Sequence, residues 1–289
     1  MRWLVTGGAG QVGRCTLSVI QLWDGTAEVW SPAHRDLDVG DSHSLLSALN
    51  AFLPDVIINC AAWTAVDKAE DNLRDVVRVN VRAPQVMARW LRTFPEVALV
   101  HLSTDYVFGG GKAPYREDAP GSPLNTYGST KWAGECAIRR RKPSRFAVVR
   151  TSSVFGGNGR NFVDSIVRQV HAGDEVRVVN DQLCQPTSAK DLSLRLVEIA
   201  ARLASENIVG GTFHVTNGGL ATWYDLATEV VRNLNLDPNL VRPIGTSDFP
   251  TRARRPSNAI LLDTRLTTVG IQPLRDWRHA LAESMSTGQ

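Results

Sequence analysis

Apolar positions fall into short unbroken runs separated by stretches with helical spacing. Arg2–Thr6 is an apolar run that ends in glycines. Val12–Trp23 follows, with Val12, Leu17, Val19, Ile20 and Leu22 spaced as on one face of a helix. Glu28–Trp30 predicts a brief second strand, and Ser42–Phe52 a helix opened by a capping residue. Asp55–Cys60, Val97–Ser103 and Phe146–Thr151 are apolar at successive rather than alternate positions, the pattern of strands covered on both faces of a parallel sheet. Between the first two, Ala69–Phe94 reads as mostly helical, with Pro84 as a break or a helix start. Strands alternating with helices at this rhythm predict a doubly wound, parallel α/β sheet.

Beyond residue 151 the pattern loosens. Phe162–His171, Asp191–Leu203 and Trp223–Leu234 have helical spacing, Thr212–Thr216 reads as a strand, and Pro238–Pro256 is rich in Pro and Arg. There is no internal repeat or low-complexity tract. At roughly 150 residues per domain the length allows one large domain or two small ones. The pattern places a sheet domain over 1–160 and a second, smaller domain mainly over 161–289. The sheet is re-entered between 176 and 221, and the last ~70 residues cap it.

Composition is that of an ordinary globular chain, 43% hydrophobic and 21% charged, which excludes collagen-like, disordered and disulfide-framework classes. No apolar run nears the ~18 residues of a membrane span. Glycines interrupt the N-terminal apolar run before it could serve as a signal peptide. Cys15, Cys60, Cys136 and Cys184 form no Cys-x-x-Cys pair and have no His at metal-ligand spacing. Reduced thiols in a cytoplasmic protein are expected. The net charge is +3, and the densest basic run, Arg139–Lys142, lies at a predicted helix end where cations suit the dipole. Without a broader basic face and interleaved aromatics, no nucleic-acid partner is expected. Arg outnumbers Lys 27 to 5. That bias fits phosphate recognition and biased codon usage equally well.

Two motifs carry chemistry. Gly7, Gly10 and Gly13 give Gly-x-x-Gly-x-x-Gly between the first predicted strand and helix, the context a dinucleotide pyrophosphate needs. Gly7 permits the tight turn, Gly10 close approach of the ligand, and Gly13 close packing of helix on strand. The helix start offers free N–H groups to phosphate. After the second strand no carboxylate is placed to bind a ribose 2′-hydroxyl, and Arg35 could meet a 2′-phosphate; NADPH is favoured, with NADH possible. The second motif is Tyr127-x-x-x-Lys131 on a helix begun by Asn125 or Thr126 and running to about Arg141. The i, i+4 spacing puts both on one face, where the ammonium can lower the pKa of the phenol for proton transfer. A hydroxyl after the fourth strand, Ser103 or Thr104, can hydrogen-bond a substrate carbonyl; spacing does not separate the two.

Together these features resemble the extended short-chain dehydrogenase/reductase superfamily. Asn59–Glu70, Ser103–Phe108, Ser122–Gly128, Asn180–Gln182 with Pro186-Thr187, and Arg255-Pro256 narrow the resemblance to the dTDP-4-dehydrorhamnose reductase family, over Thr6 to about Asp263. The resemblance implies a Rossmann sheet with a smaller C-terminal substrate-binding domain. It implies NADPH-dependent reduction of the C4 ketone of dTDP-4-dehydro-β-L-rhamnose, with Thr104, Tyr127 and Lys131 as the catalytic set. Gln11, Val12, Asp38, Val39, Ala62, Trp63, Thr64 and Leu102 fall at its cofactor positions, and Asp105, Ser153 and Arg255 at its substrate positions, with Arg252 and Arg254 as further phosphate candidates. Ser153 stands where the family often has Trp, which widens the sugar pocket, and Cys184 stands where it usually has Gly. A related dTDP-4-keto-6-deoxysugar or dihydrostreptose-type reductase of antibiotic biosynthesis is therefore the alternative reading, and a non-catalytic NADP-binding regulatory subunit a second. Some relatives dimerise through a cation held by glutamates; Cys15 and Lys190 occupy those positions here, so no metal is expected. The chain is expected to be a monomer or homodimer.

Overall fold

A computed structural model describes residues 1–111, 113–157 and 161–286. The unbroken apolar runs become interior strands. β1 (Arg2–Thr6) is followed by α1 (Gln11–Trp23), β2 (Glu28–Trp30), α2 (Ser42–Phe52) and β3 (Val56–Asn59). A broken helical stretch follows, α3 (Val66–Ala69), α4 (Leu73–Val77) and α5 (Ala83–Trp90). It leads to β4 (Ala98–Thr104), α6 (Thr126–Arg141), β5 (Phe146–Thr151) and β6 (Val154–Phe155). The rest comprises α7 (Phe162–His171), β7 (Val176–Val179), β8 (Leu183–Cys184), β9 (Thr187–Ser188), α8 (Ala189–Ala204), β10 (Gly211–His214), β11 (Ala221–Thr222), α9 (Trp223–Asn233), β12 (Val241–Ile244) and α10 (Trp277–Ser286).

Six strands form one sheet in the order β10-β5-β4-β3-β1-β2, every neighbour parallel. Successive residues on each strand serve opposite faces. Val5, Ile58, Val100 and Val149 pack under α1 and α8 with Val19, Ile20, Leu192 and Leu196. Leu4, Ile57, Leu99 and Val148 pack under α2, α5 and α6 with Leu45, Leu49, Met87 and Ile138. Both faces are dry, which is why these strands read as unbroken runs.

The expected helix over Ala69–Phe94 is interrupted. Arg78–Arg82 is a π-helical turn between α4 and α5, and Pro84 lies in the first turn of α5 rather than breaking it. The bulge presents Asn80, whose Oδ1 accepts the Trp63 N–H at 2.9 Å and whose Nδ2 donates to Thr130 Oγ1 at 3.2 Å. Gly134 lets α6 approach this turn: a Cβ there would lie 2.2 Å from the Asn80 carbonyl oxygen. Capping follows side-chain chemistry. Asp41 accepts from His43 N at the start of α2, and Asn125 Oδ1 from Gly128 N at 2.8 Å at the start of α6.

The cap has its own core, drawn from Phe155, Val163, Ile166, Val176, Val178, Leu226, Val230, Val241 and Trp277. It therefore recruits α7 and β7 as well as the last ~70 residues. Between these contributions the chain returns to the sheet through α8 and β10. No helix among the described residues is long and apolar enough to cross a membrane.

Candidate active site

The turn after β1 lies where the chain leaves β1 for β2 on one side and later adds β3 on the other, the switch point at which open sheets bind ligands. Gly7 has φ of 72°, and a Cβ on it would lie 2.6 Å from Ala61 N. A Cβ on Gly13 would lie 2.2 Å from the Gly7 carbonyl oxygen. Gly10 caps α1 without a side chain, so the first-turn amides are open. A cavity of about 720 Å³ begins here. Gly7, Gly10, Gln11, Val12, Gly13, Asp38, Val39, Ala62, Trp63, Thr64 and Leu102 all line it. A glycine cradle at an open helix start fits a dinucleotide pyrophosphate.

Arg35 departs from its expected place. Its side chain is 88% exposed, 3.7 Å from Asp36, and the neighbouring His34 lines the cavity instead. The chain turns between Ala33 and Leu37, where Asp36 N and Leu37 N both bond the Ala33 carbonyl, and this leaves Arg35 on the outside. Arg78 Nη2 donates to Oδ2 of the cavity-lining Asp38 at 2.8 Å.

At the far end, β4 and α6 bring the second motif together. Alternation along β4 separates the two hydroxyls. Ser103 faces α6 and donates to Glu135 Oε1 at 2.6 Å. Thr104 lies beside the Tyr127 phenol and donates to Asp105 Oδ1 at 3.0 Å. Lys131 is 2% exposed; its Nζ donates to the Leu102 carbonyl at 2.6 Å and lies 3.4 Å from His101 Nε2. Burial moves each titratable group toward its neutral form. It pushes Tyr127 up to about 12, with the Thr104 hydroxyl pulling the other way. It lowers Lys131 to about 8 and raises Asp105 to about 6, and it holds His101 well below the usual imidazole range. In the free protein burial is the largest influence on the Tyr127 phenol.

Ser153 lines the same cavity in a left-handed backbone conformation, φ 46°. The buried Cys184 lies beside it, its thiol raised to about 12 by burial. A second cavity of about 480 Å³ shares Tyr106, Phe162 and Trp223 with the first. Arg255 lines it, gripped by Asp67 through two bonds of 2.7 and 2.5 Å. Arg252 instead pairs with Asp71 at 2.7 Å and points outward. Lys190 is paired with Glu283 at 2.5 Å, and no cluster of three or more potential metal ligands occurs among the described residues.

The family model described as RmlD substrate binding domain matches residues 1–289. The chain belongs to this family. A probable dTDP-4,6-dihydroxy-2-methyloxan-3-one 4-ketoreductase of Streptomyces antibioticus is 41% identical over 98% of this chain and 94% of its own length. A dTDP-4-dehydrorhamnose reductase of Streptomyces griseus is 40% identical over 98% and 92%. Among solved structures, a dTDP-4-dehydrorhamnose reductase from Bacillus anthracis in complex with NADP superposes with a TM-score of 0.91 at 28% identity, covering 99% of each chain.

Several lining residues lie outside the family motifs as read from the sequence. Asn161, Phe162 and Trp223 reach the cavities from the starts of α7 and α9. Trp223 and Phe162 also stack edge to face, 4.7 Å between centroids. Asp67 and Tyr106 sit inside quoted motifs without an assigned role. The capping residues Asn161 and Thr222 mark the helix starts that carry these rings, but nothing in local sequence indicates that the starts converge.

Proposed function

We propose that this protein reduces the C4 ketone of a dTDP-4-dehydro-6-deoxysugar with NADPH, dTDP-4-dehydro-β-L-rhamnose first. The observation that carries this is one cavity running from the glycine cradle to the face of α6 bearing Tyr127 and Lys131. When bound, NADPH supplies the hydride. Tyr127, kept protonated by burial, gives its proton to the C4 oxygen. Thr104 hydrogen-bonds that oxygen as charge develops. Lys131 is buried against Leu102 and can hold the nicotinamide ribose while its charge supports the phenolate left behind. Asp105 lies beside the sugar, and Arg255 beside the nucleotide diphosphate in the adjoining cavity. The free thiols fit a reducing cytoplasmic setting, in a monomer or homodimer.

Ser153 favours a second reading. It leaves open the wall that a Trp closes in the family pattern, so a bulkier or differently configured 4-keto-6-deoxysugar of antibiotic biosynthesis also fits. The test is incubation with NADPH and enzymatically prepared dTDP-4-dehydrorhamnose, following nicotinamide absorbance and identifying the product. Oxidation of NADPH with formation of dTDP-L-rhamnose is expected. NADPH binding without turnover of any dTDP-4-keto sugar would instead indicate a regulatory subunit.

A further inference from the structure

Thr151, at the C-terminal end of β5, carries a buried hydroxyl that no group among the described residues satisfies. The residue is 5% exposed, and its Oγ1 has no hydrogen-bond partner. Its neighbours are all engaged. Arg150 points to the opposite face and binds Glu135 Oε2 at 2.8 Å, and Ser152 Oγ donates to Asp105 Oδ2 at 2.8 Å. Buried polar groups are normally paired, and the exceptions need an explanation. Packing does not supply one, because Val has nearly the same shape and suits a strand at least as well.

Thr151 lines the main cavity, and its Cα is the register partner of Thr104 on β4. A dinucleotide with its pyrophosphate at Gly7–Gly13 has its reducing end near Thr104 and Tyr127, because hydride and proton must reach the same carbonyl. The polar substituent of the nicotinamide ring is its carboxamide, with one C=O acceptor and an NH2 donor. A hydroxyl pairs with either. The sugar ketone is already served by Tyr127 and Thr104. We infer that Thr151 Oγ1 hydrogen-bonds the nicotinamide carboxamide and so fixes which face of the ring is turned toward the substrate. This rests on the reductase reading above.

The test compares wild type with Thr151→Val, which removes the hydroxyl and keeps the shape. Two probes are titrated calorimetrically into each: NADP+ and 2′-phospho-ADP-ribose, which lacks the nicotinamide. Thr151→Val is expected to weaken NADP+ about tenfold. It should leave 2′-phospho-ADP-ribose unchanged, and Thr151→Ser should restore NADP+ affinity. The melting temperature of the ligand-free variant should hold or rise, since an unsatisfied hydroxyl has been removed. Equal NADP+ affinity in wild type and variant overturns the assignment. So does equal weakening of both probes, or a lower melting temperature without selective loss of NADP+. Should Thr151→Val fail to fold, Thr151→Ala is read by the same differential. A wild-type protein that binds neither probe overturns the reductase reading and this assignment with it.

Discussion

Tyr127 holds its proton because it is buried, and Lys131 sheds its proton readily for the same reason. Tyr127→Phe removes only the donor and keeps the ring, so kcat should fall by roughly 10²–10⁴-fold, while circular dichroism and NADP+ binding stay as in wild type. Unchanged turnover would show that another group delivers the proton. Lys131 is lowered from its ordinary 10.5 to about 8, so it is charged below that pH and neutral above it. Chemistry that needs the ammonium is therefore present below about 8 and lost as pH rises through it. The profile of kcat/KM for NADPH, which reports the free enzyme, should show this limb. Stability runs the other way: between about 8 and 10.5 the unfolded chain binds the proton more tightly, so stability rises with pH there. The sequence placed Tyr127 and Lys131 on one helix face, but it left Ser103 and Thr104 undivided. Both line the cavity, but Ser103 Oγ is taken by Glu135 whereas Thr104 lies beside Tyr127, and those pairings arise only in the tertiary structure.

At the scale of elements, α6 is fixed to the sheet by charge as well as by packing. Glu135 and Arg150 are both fully buried and joined by bonds of 2.8, 3.0 and 3.3 Å. Ser103 and Arg139 add further bonds to the same carboxylate. Arg150 also lies 4.9 Å from the Phe108 ring centroid. Arg150→Met should cost about 3 kcal/mol or more in denaturant unfolding, because it leaves a buried carboxylate short of its main partner. A loss well under 1 kcal/mol would mean that Arg139 alone compensates. Strands and long helices were legible because periodicity reflects the two dry faces of the sheet. The π turn at Arg78–Arg82 was not. It depends on Gly134 and Thr130 of α6, more than 45 residues away, as well as on local propensity.

For the whole molecule, the two cavities meet where the cap faces the ends of the strands. Arg255 and Asp67 tie α3 to the segment after β12 at that junction. Arg255 lines the second cavity, not the one holding Tyr127. Arg255→Ala should therefore raise KM for the nucleotide sugar by about 10–100-fold with kcat nearly unchanged. Steady-state kinetics in saturating NADPH would check this, and a matching fall in kcat would place Arg255 in the chemistry instead. The glycine cradle and the α6 motif were visible in the sequence because each is local. The aromatic wall of Phe162 and Trp223 was not, since it forms only when two distant helix starts meet.

The cap and the sheet are interleaved along the chain, and this bears on synthesis. The sheet still lacks its edge strand until Gly211–His214 has been made, and its core also takes Leu266 and Ile271. The cap cannot close until Trp277, Ala280 and Leu281 are in place. A ribosome moving from the N-terminus thus releases no finished unit until α10 has been made. Until then the growing chain carries open apolar surface, and both halves are completed together as α10 emerges.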